Sequence, residues 1–200
     1  MSIYLIRHTA PLIEKGTCYG QADIDVKESF LDEASIIKTV IPTEFRGVWT
    51  SPLQRCRKLA EHLFPEMPLK LEPRLKEIDC GEWELQKWDD IPSEIIDPWM
   101  KDYVNIRIPG GENYIDLYDR VVESFQEIAA GETPVAIVTH GGVIRSILSH
   151  ITGTSLQDSF GAFAIHYGSV IRISRQGNGF AHEVLSNIIT SKEQHKPSPK

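Results

Sequence analysis

The chain has 200 residues and a formal net charge of −7, a length that suits one domain with a sizeable core. The acidic balance excludes nucleic acid and anionic membrane surfaces as expected partners. No apolar run reaches transmembrane length, and Met1 leads straight into a strand pattern with no signal peptide ahead of it, so a cytoplasmic protein is expected.

In chain order, the first predicted element is a buried strand near 2–6, whose apolar run Ile3-Tyr4-Leu5-Ile6 ends in Arg7-His8-Thr9. A second short strand falls near 47–50. Behind it, Ser51 reads as an N-cap, Pro52 as the first helical residue and Gln54 as a capping-box partner. The helix that follows carries an apolar stripe of Leu53, Cys56, Leu59, Ala60, Leu63 and Phe64. A third strand is expected near 68–72. Residues 81–111 break the rhythm: Trp83, Trp88 and Trp99 stand among Pro92, Pro98, Pro109 and Gly110-Gly111, which suggests an excursion over the sheet edge. Tyr114, Leu117, Tyr118, Val121, Val122, Phe125 and Ile128 predict a helix that ends at Gly131. The fourth strand, near 135–139, ends in His140-Gly141-Gly142, and a helix is expected from Gly141 through Ile144, Ile147 and Leu148. Two weaker strands near 168–175 and 179–185 flank Gly177-Asn178-Gly179, a hairpin signal. The polar stretch 191–200 is expected to be a disordered tail. Strands alternating with helices predict an α/β fold, with a mostly parallel sheet between helices on both faces and an antiparallel edge, in one domain over 1–190.

Two histidines at strand ends are the chemical signal, because open α/β sheets bind ligands at the carboxyl ends of their strands. If the first and fourth strands are neighbours, His8 and His140 meet, with Arg7 beside them. Arg55 falls in the first turn of its helix, where the dipole disfavours a cation, and a local rule broken this way is expected at a functional site. Arginine forks suit a phosphoryl group, and Gly141 and Gly142 let backbone amides approach it. A neutral imidazole can attack phosphorus if its other nitrogen is held by an acceptor; His8 is the candidate nucleophile and His140 the candidate charged partner. The leaving oxygen needs a proton, and Glu77, Asp79 and Glu82 are the available carboxylates, Glu77 being the most easily buried. Arg145 is expected to pair with a local carboxylate. Trp83, Trp88 and Trp99 suit packing and ligand stacking equally. His62, His150, His166, His182 and His195 read as surface or core groups. Cys18, Cys56 and Cys80 form no CxxC pair and no histidine spacing fits zinc, so neither a metal nor a cofactor is expected.

Arg7-His8-Thr9, Ser51-Pro52-Leu53-Gln54-Arg55-Cys56, Leu75-Lys76-Glu77, Gly81-Glu82-Trp83-Glu84 and Thr139-His140-Gly141-Gly142-Val143-Ile144-Arg145 together resemble the histidine phosphatase, or phosphoglycerate mutase-like, superfamily. The resemblance implies a three-layer sandwich and a metal-independent phosphomonoester hydrolase. It also implies a phosphorylated His8, a phosphate pocket of Arg7, Arg55 and His140, and Glu77 as proton donor. Within the superfamily, Thr9-Ala10-Pro11 and Tyr19-Gly20-Gln21-Ala22-Asp23 are most similar to the alpha-ribazole phosphatases of cobalamin biosynthesis. Pro109-Gly110-Gly111-Glu112 and the tryptophans agree with that likeness. It makes Thr9, Tyr19, Gly20, Gln21, Glu82 and Trp83 candidate substrate contacts and a small phosphomonoester the expected partner. Three positions depart from the family pattern: Leu85 replaces a usual glycine, Asn113 a serine and Cys80 an aromatic residue. A phosphoglycerate mutase, another metabolite phosphatase, a phosphoprotein phosphatase of the same fold and a non-catalytic phosphate-binding module are the alternatives.

Overall fold

The computed structural model describes residues 1–177 and 179–188; the predicted tail lies outside them. Six strands form one sheet, the central ones from short aliphatic runs. These are β1 (Ser2–Arg7), β2 (Gly47–Thr50), β3 (Leu69–Leu71), β4 (Val135–Thr139), β5 (Val170–Gln176) and β6 (Gly179–Ser186). The helices are α1 (Phe30–Val40), α2 (Gln54–Leu63), α3 (Ser93–Lys101), α4 (Tyr114–Ala130), α5 (Gly141–Thr152) and the short α6 (Ser159–Ala162).

The sheet order is β3-β2-β4-β1-β5-β6. Pairing is parallel from β3 to β1 and antiparallel from β1 through β5 to β6, so the mostly parallel sheet and its antiparallel edge are both present. Gln176 pairs with Gly179 at the hairpin, where Gly177 takes a φ of 57°. Alternate residues of the central strands feed opposite faces, as the pleat requires. Ile3, Leu5, Val135 and Ile137 pack under α4 and α5, while Tyr4, Ile6, Ala136 and Val138 pack under α1 and α2. Each buried valine, leucine or isoleucine among them contributes roughly 1.5–3 kcal/mol. β1 delivers the chain to the α1 face and its neighbour β4 delivers it to the α5 face. That divergence opens a crevice at their carboxyl ends, the usual ligand site of an open α/β sheet.

Three local expectations are corrected. Helix α1 was not anticipated: Ala34 and Ile37 form only a narrow stripe, β-branched Ile36, Ile37, Thr39 and Val40 weaken the helical signal, and Ser29 makes no side-chain cap. Helix α3 lies inside the Pro-rich excursion with Pro98 within it, and a Pro-rich composition reads as loop. Ser51 does not cap α2, which starts at Gln54 after Leu53; Asp23 fills that role from a distant loop by accepting from the Gln54 amide at 2.7 Å. Helix α4 has a complete capping box between Asn113 and Asp116.

The excursion builds a small apolar cluster of its own from Cys18, Cys80, Trp83, Trp88, Ile91, Ile96 and Ile108. Trp99 packs against that cluster, lying stacked on Trp88 at 6.0 Å and edge-on to Trp83 at 5.4 Å.

Candidate active site

In-register pairing of Arg7 with Thr139 puts the next residue of each strand side by side. His8 donates its amide to the Thr139 carbonyl at 2.9 Å, and the His8 and His140 ring centroids lie 5.1 Å apart. Nδ1 of His8 lies 2.7 Å from the Thr9 carbonyl. A carbonyl only accepts, so Nδ1 carries the hydrogen, and in the neutral ring Nε2 then holds the lone pair. This is the tautomer a nucleophile needs, and it rests on a backbone contact between adjacent residues.

Arg7 and Arg55 lie beside the imidazoles with no carboxylate partner among the described residues. Arg7 donates Nη1 to the Ile165 carbonyl at 2.6 Å and sits over the Tyr167 ring at 4.1 Å. Arg55 is fully buried and donates to the carbonyls of Ala22 and Gly20 at 2.8 and 2.6 Å. The Nε atoms of both are buried without a partner. A buried cation lacking a counter-charge is costly, so the arrangement suits an arriving anion.

His140 is fully buried, and its Nε2 lies 2.8 Å from the Ser51 hydroxyl and 3.4 Å from the Cys56 thiol. Burial, then Arg55, His8 and Arg7, hold its pKa well below the usual histidine value. Burial above all, and then these basic neighbours, oppose protonation of the imidazole. Only a bound anion reverses that balance. Burial likewise pushes the Cys56 thiol up to about 12.

Glu77 reaches the same crevice from the loop behind β3. Its carboxylate accepts from the Gly142 amide and from the Ile78 amide, both at 3.0 Å. The Gly142 amide at the start of α5 is thus committed to Glu77, while Gly141 lines the cavity. Arg120 of α4 fixes the loop by donating to the carbonyls of Arg74, Lys76 and Glu77 at 2.7–2.9 Å, and Glu112 holds Arg120 at 2.8 Å. Glu84 accepts four backbone amides, from Gly20, Gln21, Ala22 and Cys80, and so shapes the loop whose carbonyls hold Arg55.

The cavity of about 400 Å³ is lined at one end by Arg7, His8, Arg55 and Gly141. Toward the other end its wall includes Trp88, Trp99, Tyr103 and Phe160. Tyr19 lies on the wall, but the other proposed substrate contacts do not. Thr9 is buried and serves through its carbonyl, Gly20 serves Arg55, and the Gln21 side chain donates to the Glu77 carbonyl at 3.1 Å. Trp83 turns into the aromatic cluster and Glu82 faces solvent. Arg145 also departs from expectation: it makes no ion pair among the described residues, and its guanidinium lines the cavity.

Tyr167, Arg120 and Glu84 have no assigned role in the sequence reading, and Arg145 has only that of an ion-pair partner. Arg145 alone carried a usable signal, lying one helical turn beyond Gly141 and hence on the same side of α5. The other three act across long sequence separations, which no local pattern reports.

A family model for the histidine phosphatase superfamily, branch 1, matches residues 3–188. A metal-independent phosphoserine phosphatase of Arabidopsis thaliana is 30% identical over 167 residues, which cover 76% of this chain and 69% of that protein. A 6-phosphofructo-2-kinase/fructose-2,6-bisphosphatase of the same plant is 25% identical over 117 residues, 56% of this chain but only 15% of that much longer protein. Among solved structures, the alpha-ribazole phosphatase from Shigella flexneri superimposes with a TM-score of 0.83 at 22% identity, covering 94% of this chain and 96% of that one. At that identity the likeness establishes the fold.

Proposed function

This chain belongs to the histidine phosphatase superfamily, and on that premise we propose that it hydrolyses a small organic phosphomonoester through a phosphohistidine formed on His8. The observation that carries this reading is the convergence of a tautomer-fixed His8, a buried His140 and two arginines without carboxylate partners.

In the first step His8 Nε2 attacks phosphorus in line. The bond from phosphorus to the ester oxygen breaks, and the Glu77 carboxyl gives that oxygen its proton as the alcohol departs. In the second step water attacks the phosphohistidine, Glu77 takes the water's proton and the N–P bond breaks to release inorganic phosphate. Arg7, Arg55 and His140 hold the three non-bridging oxygens throughout. Removing one such preorganised donor typically costs about 10²–10³ in rate. The route itself uses no metal.

The finer reading is alpha-ribazole 5'-phosphate, whose flat benzimidazole suits the aromatic end of the cavity. The fold shared with the Shigella flexneri alpha-ribazole phosphatase is compatible with it. A cytoplasmic setting agrees with three cysteines that remain free thiols.

The test is a rapid quench of radiolabelled phosphomonoester into alkali, where phosphohistidine survives. Label is expected on the unaltered protein and absent from His8→Ala, together with loss of turnover. Near-normal turnover by His8→Ala would overturn the assignment. Exchange of label between two sugar phosphates without release of inorganic phosphate would turn the reading to a mutase.

A further inference from the structure

Resting on the phosphatase reading, we infer that Arg145 recognises the leaving group, donating its guanidinium to neutral oxygen acceptors such as the hydroxyls and ring oxygen of a ribose. The steps above do not use this residue. It stands on α5 one turn beyond Gly141, and its Nη1 would lie 3.2 Å from a Cβ placed on Gly141, as would the Cζ of Arg7. Arg145 therefore borders the phosphate end. Its other neighbours include Tyr103, Tyr114 and Phe160 of the aromatic wall, and Glu77.

Its present contacts leave most of its donors unused. Nε donates to the Phe163 carbonyl at 3.2 Å, and Cζ lies 4.3 Å above the Phe160 ring. Neither Nη has a hydrogen-bond partner among the described residues. Five N–H donors in a fixed fork are seldom left so empty in a largely apolar cavity.

The local charge decides what fills them. Burial and the nearby Arg7 disfavour the guanidinium's charge and hold its pKa below the usual arginine value, while Glu77 and the face of Phe160 ease it; no carboxylate pairs with it among the described residues, and its fork lacks acceptors. A second anion on the leaving group would also be brought close to Glu77. Neutral oxygens avoid that repulsion. A sugar carries several of them within a few bonds of a phosphate ester, and places its base further out, toward Trp88 and Trp99. The cavity wall thus offers cationic groups for phosphate, a forked donor for sugar and aromatic rings for a base.

The experiment compares Arg145→Met with the unaltered protein on alpha-ribazole 5'-phosphate and adenosine 5'-phosphate, which carry a ribose. Benzyl phosphate, which lacks one, and O-phosphoserine, which offers a carboxylate, complete the set. Hydrogen bonds to a charged donor imply a loss of about 10–100-fold in kcat/KM on the ribose esters. The expected result is a loss there at least tenfold greater than on benzyl phosphate. Arg145→Lys, which keeps the charge and loses the fork, is expected to fall between, and guards against a folding defect in the methionine variant. Equal losses on all substrates would overturn the inference in favour of a phosphate or structural role. The greatest loss on O-phosphoserine would overturn it in favour of anion recognition. An unaltered protein that leaves benzyl phosphate intact would bring down the phosphatase reading and this inference with it.

Discussion

Replacing Gly142 by alanine puts the proton-donor role of Glu77 to a quantitative test. A Cβ at Gly142 would stand 2.3 Å from Glu77 Oε1 and 3.1 Å from Leu117 Cδ2. Contacts under 3.0 Å are not tolerated, so the carboxylate must retreat by about 0.7 Å or more. Its bonds to the Gly142 and Ile78 amides, both 3.0 Å, are then strained or lost. A misplacement near 1 Å typically costs about 10²-fold in a positioned step. Protonation is needed for an alkoxide leaving group and hardly at all for p-nitrophenolate. Gly142→Ala should therefore slow formation of the phosphoenzyme from an alkyl phosphate by about 10–100-fold, and from p-nitrophenyl phosphate by less than about threefold. Rapid-quench burst measurements separate this step from the later attack of water, which would mix the two effects in steady-state turnover. Equal slowing of the burst with both substrates would refute the assignment of Glu77 as acid, and unchanged rates with both would refute the steric reasoning.

Leu85 is the one non-glycine among the described residues with a positive φ, 66°, and it is 60% exposed. Relief of roughly 1–2 kcal/mol of backbone strain, less about 0.4–1 for a more flexible unfolded chain, makes Leu85→Gly stabilising by about 0.5–1 kcal/mol. The Tm should rise by roughly 1–4 °C, and a fall would show that the side chain matters more than its backbone. Glu84→Gln removes acceptors from the amides that shape residues 20–22, so KM for phosphomonoesters should rise about tenfold as Arg55 loses its anchored carbonyls. An unchanged KM would place Glu84 outside substrate binding. His140 has a depressed folded pKa, so below about pH 6.5 the unfolded chain takes up a proton there that the native site refuses, and stability falls with pH by up to about 1.4 kcal/mol per unit. Denaturant titrations from about pH 7.5 to 5.5 should show a steeper loss in the unaltered protein than in His140→Gln, and parallel slopes would contradict the cause assigned to the shift. Sulfate, which stays a dianion across that range, should flatten the slope.

Much of this site was legible because it hangs from strand ends. The apolar runs 3–6 and 135–138 read as buried strands on periodicity alone, and parallel pairing then brought His8 and His140 together. Arg55 betrayed itself as a cation in the wrong turn of a helix. Less legible were groups whose meaning depends on a distant partner. Ser51 looked like a cap because Ser-Pro at a helix start usually is one, yet its hydroxyl meets His140, 89 residues away. Arg145 looked like half of an ion pair because most arginines near carboxylates are. The influences that oppose protonation of His140, the cost of burial and the charges of Arg55 and Arg7, appear only in three dimensions. The tryptophans divided in a way composition cannot express, with Trp88 and Trp99 on the cavity wall and Trp83 behind it.

The alternation of side chains along β1 and β4 bears on how this site tolerates change. Ile6 and Val138 precede the residues that lead into the imidazoles, and both are locked into the core on the α1–α2 side. A slip of one residue between these strands would turn the side chains of the strand that moves to the opposite layer, expelling Ile6 or Val138 and swinging one imidazole away from the other. Insertions in either strand are thus vetoed by hydrophobic packing before catalysis is ever sampled. Variation is free to accumulate in the loops beyond the strand ends, where it alters what is bound and leaves the nucleophile's alignment alone.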